Sequence, residues 1–217
     1  MRHLLGLQPS ASASAISQYI NSLADTAKVP KPSNPEIKSY FDAVYFNYYS
    51  LGISLLFVPK NGYKPKPGLK MNDLQHDNLV LDSIDIYNVS MTEAPDDDKY
   101  LRSEFAFTTF PIVPIMLPIT ARAKDKDGKP IERPSQLYIT LESSGKDFVE
   151  ALGEPDRKGG GAGPSSGSIN IWCEWSKDGV MVEFGGVQAN GPNAWDTGKD
   201  AVWKVITFFR PESRNEL

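Results

Sequence analysis

The chain reads as an α+β protein, an antiparallel sheet backed by short helices. The expected pattern is two related units of one helix and three strands. Three observations carry this expectation. Apolar residues recur at helical spacing mainly in two stretches, 14–27 and 145–153. Elsewhere, β-branched and aromatic runs are separated by turns rich in Gly and Pro. The two halves also repeat one order: helix, link, aromatic strand, Gly-containing turn, apolar strand ending in Phe, and a third strand. The implied division is 1–35 for the N-terminal helix and proline-rich link, 36–120 for a first α+β half and 121–217 for a second. One continuous domain across both halves remains open.

In the first half, Ile16, Tyr19, Ile20 and Leu23 form a helical stripe, with Ser12 or Ser14 as its N-cap. Pro30, Pro32 and Pro35 end it and hold the link extended, because proline fixes φ. Pro35 then opens a short helix through Glu36, Ile37 and Tyr40. Strands follow at 44–49 and 53–58, divided at Gly52 by a tight turn or a bulge. Residues 59–74 are a loop broken by Pro59, Pro65, Pro67, Gly62 and Gly68. The next strand, LVLDSIDIYNV, turns Val80, Ile84 and Ile86 to one face, interrupted by Asp82, and Ser83 and Asp85 to the other. Asp96, Asp97 and Asp98 lie in an acidic loop. Residues 105–120 are apolar but carry Pro111, Pro114 and Pro118, which predicts an irregular extended segment.

In the second half, 124–134 is a solvated charged excursion turning at Asp127-Gly128, and 136–142 is a short strand. Ser143 or Ser144 caps a helix whose apolar face is Phe148, Val149 and Leu152, and Gly153 stops it in a left-handed conformation. The run GGGAGPSSGS predicts a flexible link, so shortening residues 159–168 should leave folding intact. Ile169, Ile171, Cys173 and Trp175 alternate with Asn170, Trp172 and Glu174. Lys177-Asp178-Gly179 then turns the chain into a strand bearing Val180, Val182 and Phe184. The last strand, 202–209, is apolar on both faces, as a central or doubly covered strand would be.

The segment Leu152-Gly153-Glu154-Pro155-Asp156, followed by 171–175, Gly179 and 180–184, resembles the helix, Leu-Gly-x-Pro turn and antiparallel sheet of BamE-like or beta-lactamase-inhibitor-protein-like modules. The resemblance covers 141–209, with an echo at 36–90. It implies a protein-binding role without catalysis. The chain also looks like fungal proteins of unassigned activity.

Composition narrows the function classes. The chain has 217 residues, enough for a sizeable core. Twenty-three Lys and Arg against 27 Asp and Glu give a net charge of −4, which opposes the basic face that nucleic acid binding requires. One cysteine, Cys173, excludes an intrachain disulfide and a multi-cysteine metal site. His3 and His76 leave little for a histidine site, and His3 reads as part of a frayed end. No cofactor or metal is expected.

No window offers the roughly 20 apolar residues that cross a bilayer. The opening MRHLLGLQPS is interrupted too early for a secretory signal. A cytoplasmic protein without membrane contact is therefore expected, in which the sequon Asn88-Val89-Ser90 is silent.

No GxSxG elbow, phosphate loop, HExxH helix or EF-hand loop is present. The glycine run lacks the Lys-Ser or Lys-Thr ending of a phosphate cradle. Cys173, inside an apolar strand, reads as a structural thiol. The acidic loop reads as solvated in preference to a calcium site. Glu174 and Glu183 face each other across the hairpin, where paired carboxylates could perform acid-base chemistry. A solvated sheet face explains them as well.

The aromatics Tyr45, Tyr48, Tyr49, Trp172, Trp195 and Trp203 could anchor a partner. The expected function is a non-catalytic macromolecule-binding module, with Trp172, Glu174, Met181 and Glu183 as its surface. A protein partner is the leading expectation, and a small-molecule or carbohydrate ligand stays open. The alternative is a small hydrolase or ligand-processing enzyme using a polar cleft near the sheet.

Overall fold

The computed structural model describes residues 1–9, 15–32, 34–89, 106–119, 123–124, 129–163 and 167–211. Several expectations fall outside these residues: the caps Ser12 and Ser14, the acidic loop Asp96-Asp97-Asp98, the turn at Asp127-Gly128, and Ser90 of the sequon. The chain is mixed α and β, with eight antiparallel strands in its main sheet and few short helices. It divides into two compact units, one of 1–112 with 207–210, the other of 113–206 with 211–217. Among the described residues, no helix is long and apolar enough to cross a membrane.

The first unit begins with a 3-10 turn at Arg2–Leu4, where Leu4 is fully buried. His3 is thus part of an ordered turn and not of a frayed end. The Leu81 backbone anchors this segment, accepting a bond from the Gly6 N–H and donating one to the Leu7 carbonyl. Helix α1 (Ala15–Ala27) buries Ile16, Ile20, Leu23 and Ala24, the expected stripe.

The next four strands are β1 (Glu36–Ser39), β2 (Val44–Tyr48), β3 (Ile53–Pro59) and β4 (Leu79–Tyr87), paired in that order. The short helix expected after Pro35 is strand β1. Its Ile37 pairs with Phe46, and cross-strand bonding outweighs the weak helical tendency of so short a segment. Between β2 and β3 the chain makes a 3-10 turn, Tyr49–Leu51, ended by Gly52 at φ 59°. A Cβ at Gly52 would lie 2.3 Å from the Thr108 carbonyl oxygen, so the position requires glycine on two counts.

The irregularity expected at Asp82 is a β-bulge. Leu56 pairs with Ser83 but Phe57 pairs with Leu81, so Asp82 is the extra residue and turns to solvent. The phase shift places Leu79 and Leu81, and not Val80, in the buried row with Ile84 and Ile86. The opposite face carries a polar row. Ser54, buried, donates to Asn47 Oδ1 at 2.7 Å, and the register places Ser54 beside Asp85. The Thr207 hydroxyl donates to Asp85 Oδ1 at 2.8 Å.

In the second unit, β5 (Ile115–Pro118) pairs with β8 (Gln136–Ile139), and β6 (Ala123–Lys124) pairs with β7 (Pro130–Ile131). Pro118 is accommodated because each strand of a two-stranded ribbon is an edge. Arg133, from the excursion expected to be solvated, is buried in an ion pair with Asp178. Helix α2 (Gly145–Leu152) starts at Ser144, whose N–H donates to the Asp147 carboxylate at 2.7 Å. Gly153 ends it at φ 80° and ψ −167°, a positive-φ conformation outside the left-handed helical well.

Strands β9 (Arg157–Gly163), β10 (Gly167–Trp175), β11 (Val180–Phe184) and β12 (Trp203–Phe209) complete the sheet, β12 beside β11, β11 beside β10, and β10 beside β9. The turn at Lys177-Asp178-Gly179 and the pairing of β10 with β11 agree with the sequence reading. The glycine run does not. Its residues 159–163 are strand β9, with Gly161 opposite Ile169 and Gly159 opposite Trp172, so this stretch is paired backbone and not a free link. A register shift between Ile169 and Trp172 also takes Ile169 out of the buried row, leaving it 53% exposed. The second unit's expected link and the first unit's expected short helix are therefore each a fourth, outer strand.

Three outcomes follow from this packing. Gly160, at φ 86°, would bring a Cβ within 2.1 Å of the Asn170 carbonyl oxygen. Gly160→Ala should lower stability by about 2 kcal/mol in urea unfolding, and an unchanged midpoint would contradict the strand. The Arg133–Asp178 pair, at 2.6 Å, has side chains only 6% and 3% exposed. Asp178→Ala should cost about 3 to 5 kcal/mol, and a loss near zero would show that the pair is not buried in solution.

The third concerns Asp85, whose carboxyl burial pushes up to about 6 against the opposing Thr207 bond. The folded state holds this proton more tightly than the unfolded chain. The resulting stabilisation is complete below about pH 4 and is lost as pH rises through about 6. Asp85→Asn should therefore be more stable than the parent at pH 7.5, by on the order of 1 to 3 kcal/mol, and this advantage should shrink by pH 4. A difference independent of pH would refute the assignment.

Candidate functional site

Two indoles position α2 on the second unit's sheet. Trp175 Nε1 donates to the Gly153 carbonyl at 2.9 Å, just after the helix, and Trp203 Nε1 donates to the Thr140 carbonyl at 2.7 Å, just before it. Phe148 packs on the sheet between Trp175 and Phe184, with ring centroids 6.2 and 6.0 Å away. Its neighbour Val149 does not share this core. It is at the exposed margin and lines a cleft, which corrects its expected place on the apolar face.

The cleft has a volume of about 260 Å³. Ile171, Cys173 and Phe184 supply its sheet side, Val149 its helix side, and Trp195, from the short helix α3 (Ala194–Thr197), a further wall. Two glycines allow the close approach of the chain around it. A Cβ at Gly198 would lie 2.1 Å from Ile171 Cδ1, and one at Gly145 would lie 2.4 Å from the Gly198 carbonyl oxygen. The 3-10 turn Gly198–Asp200 therefore sits directly against β10 and the start of α2.

Charge is confined to long side chains of the lining: Lys146, Lys158 and Lys199, with Glu150 and Glu154. Lys146 and Glu150 pair at 3.6 Å on the exposed side of α2. The Lys158 ammonium is 5.5 Å from the Trp195 ring centroid, a cation–π distance. Among the described residues Lys199 makes no ion pair. Cys173 is 7% exposed, and burial pushes its thiol up to about 11, with Lys158 opposing and Glu154 reinforcing the shift. At neutral pH it is a thiol and presents a small apolar surface. His76 belongs to the first unit, where its Nε2 meets the Met71 carbonyl at 2.9 Å.

The face read from the sequence as a binding surface is the other side of this sheet. Trp172, Glu174, Met181 and Glu183 do come together there, all half-buried, with Trp172 opposite Glu183 and Glu174 opposite Met181. Glu174 and Glu183 are therefore diagonal neighbours and do not face each other. Each also has partners of its own: Arg157 at 3.2 Å and the Ser176 hydroxyl at 2.7 Å for Glu174, Asn170 at 3.3 Å and Lys204 at 3.9 Å for Glu183. Trp172 lies over Gly159, whose Cβ would fall 2.7 Å from the indole ring. The indole substitutes for the missing side chain and shields the strand backbone.

Among the described residues no three His, Cys, Asp or Glu side chains gather as a metal site would require. The sequence reading missed the cleft lining at Lys146, Lys158 and Lys199. Only the count of aromatics pointed towards Trp195. A comparison with protein-family models, curated proteins and solved structures found no match to the chain.

Proposed function

We propose that the protein is a non-catalytic binding module whose second unit receives an apolar group of its ligand in the cleft beside α2. The observation that carries this reading is the cleft itself. Its walls are Ile171, Cys173, Phe184, Val149 and Trp195, and the volume of about 260 Å³ suits a small apolar body. Trp195 is 45% exposed, an aromatic surface available to a ligand. The high thiol pKa of Cys173 favours binding over nucleophilic chemistry. The resemblance to BamE-like and inhibitor-protein-like modules points the same way. So does the order of a helix followed by four strands paired in sequence, which occurs twice along the chain and supports a duplicated scaffold. The ligand is placed in this cleft in preference to the Trp172 face, where the indole covers Gly159 and both glutamates have partners.

Indole and p-cresol are suitable neutral probes. In protein-observed NMR they should shift the Ile171 methyl and Trp195 indole resonances together. Trp195→Ala should weaken both probes several-fold, whereas Trp172→Ala should lower stability and leave probe affinity nearly unchanged. Shifts centred on Trp172 and Met181 would place the site on the other face and overturn the reading. Iodoacetamide at pH 7.5 should alkylate Cys173 far more slowly in the folded protein than in urea. Fast alkylation of the folded chain would return the enzyme reading.

A further inference from the structure

We infer that the ligand of this cleft is a small organic acid, an aromatic or short alkyl body carrying one carboxylate. The inference rests on the binding reading above and adds the chemistry of the ligand. Size comes first. About 260 Å³ holds roughly nine non-hydrogen atoms at the volume of one liquid water each. That is the scale of an aryl carboxylate.

Shape comes second. Helix α2, the sheet and Trp195 all contribute to the lining, so three elements converge on one small space that suits a compact body. Charge comes third. The lining carries three lysines and two glutamates, a local excess of one positive charge on a chain whose net charge is −4. Lys146 is already engaged by Glu150. That leaves Lys158, over the Trp195 ring, and Lys199, on the turn beside it, to meet an anion, against one remaining acid of the lining, Glu154. An apolar body against Trp195 and Ile171 would leave its carboxylate within the lysine-bearing part of the lining, where both charges stay partly hydrated. A free amine of the same shape would meet these two ammonium groups with Glu154 alone to offset them, and would be disfavoured.

Cinnamate and cinnamide test this directly, because they share one shape and differ in charge. Titration calorimetry at low salt should give cinnamate about fivefold tighter binding than cinnamide, the scale of one or two exposed ion pairs. The ratio should fall towards one in about 0.5 M salt, where charges are screened within a few ångströms. Lys199→Gln should reduce the ratio, chiefly by weakening cinnamate. The double variant with Lys158→Gln should abolish it, with circular dichroism and the unfolding midpoint confirming an intact fold.

Equal binding of acid and amide would overturn the organic-acid inference while leaving the binding reading intact. Failure of both probes to move the Trp195 indole resonance would overturn both. Tighter binding of the blocked peptide Asp-Phe-Asp than of cinnamate would also overturn the inference, assigning the cleft to an acidic segment of a protein.

Discussion

The hydrogen bonds from Trp175 and Trp203 to the two flanks of α2 are the constraint on which the second unit depends. Each indole is almost fully buried, and a buried N–H without an acceptor is costly. The acceptors are main-chain carbonyls, at Gly153 and Thr140, so the bonds fix backbone and not merely side chains. Phe148 then has a defined place between Trp175 and Phe184. Because Phe148 and Val149 are adjacent on one helix, seating the first in the core sets the second at the cleft. The opening beside α2 is thus a consequence of how the helix is anchored.

The same two tryptophans show what could be read in the sequence. Trp175 falls in an alternating run with Ile171 and Cys173, which signals burial; Trp203 lies in a strand apolar on both faces, and its burial removes it from the aromatics expected to anchor a partner. Strands β4, β10 and β11 were legible because period-two alternation records a buried face, and β2, β3 and β12 because β-branched and aromatic runs favour strand. The outer strands were not. Glu36–Ser39 follows a proline-rich stretch and has one large apolar residue, and Arg157–Gly163 is mostly glycine. Composition that suits an edge, short, charged or without apolar side chains, is also the composition of a loop. What makes β9 a strand is its neighbour. Trp172 covers Gly159, while Trp195 Nε1 would lie 3.3 Å from a Cβ at Gly161. Cover supplied by residues distant in the chain leaves no local trace.

Buried polar groups add a different kind of constraint. Arg133 and Asp178 tie the segment before β8 to the β10–β11 turn, and their removal from water makes the pair a specification of geometry more than a source of net stability. In the first unit Ser54, Asn47 and Asp85 occupy strand positions that apolar residues could fill. Asp85 stays near its proton at an elevated pKa because its Thr207 bond does not outweigh desolvation. A one-residue slip of β4 would break this row and also bring Asp82 into the buried face. The bulge at Asp82 and the polar row therefore favour the same register.

The cleft was the least legible feature, for a physical reason. Its lining comes from α2, the turn that follows, β9, β10, β11, α3 and the Gly198–Asp200 turn, so no spacing rule connects its residues. Each residue also has an adequate local explanation. Cys173 is a buried strand residue, Lys146 a solvated helix residue paired with Glu150, and Gly198 part of a turn. Only the close approaches at Gly145 and Gly198 reveal that these segments converge, since a side chain at either would strike main chain or Ile171. Glycine there serves contact between segments more than turn formation. A turn glycine and a contact glycine look identical in sequence, and the second kind made this site.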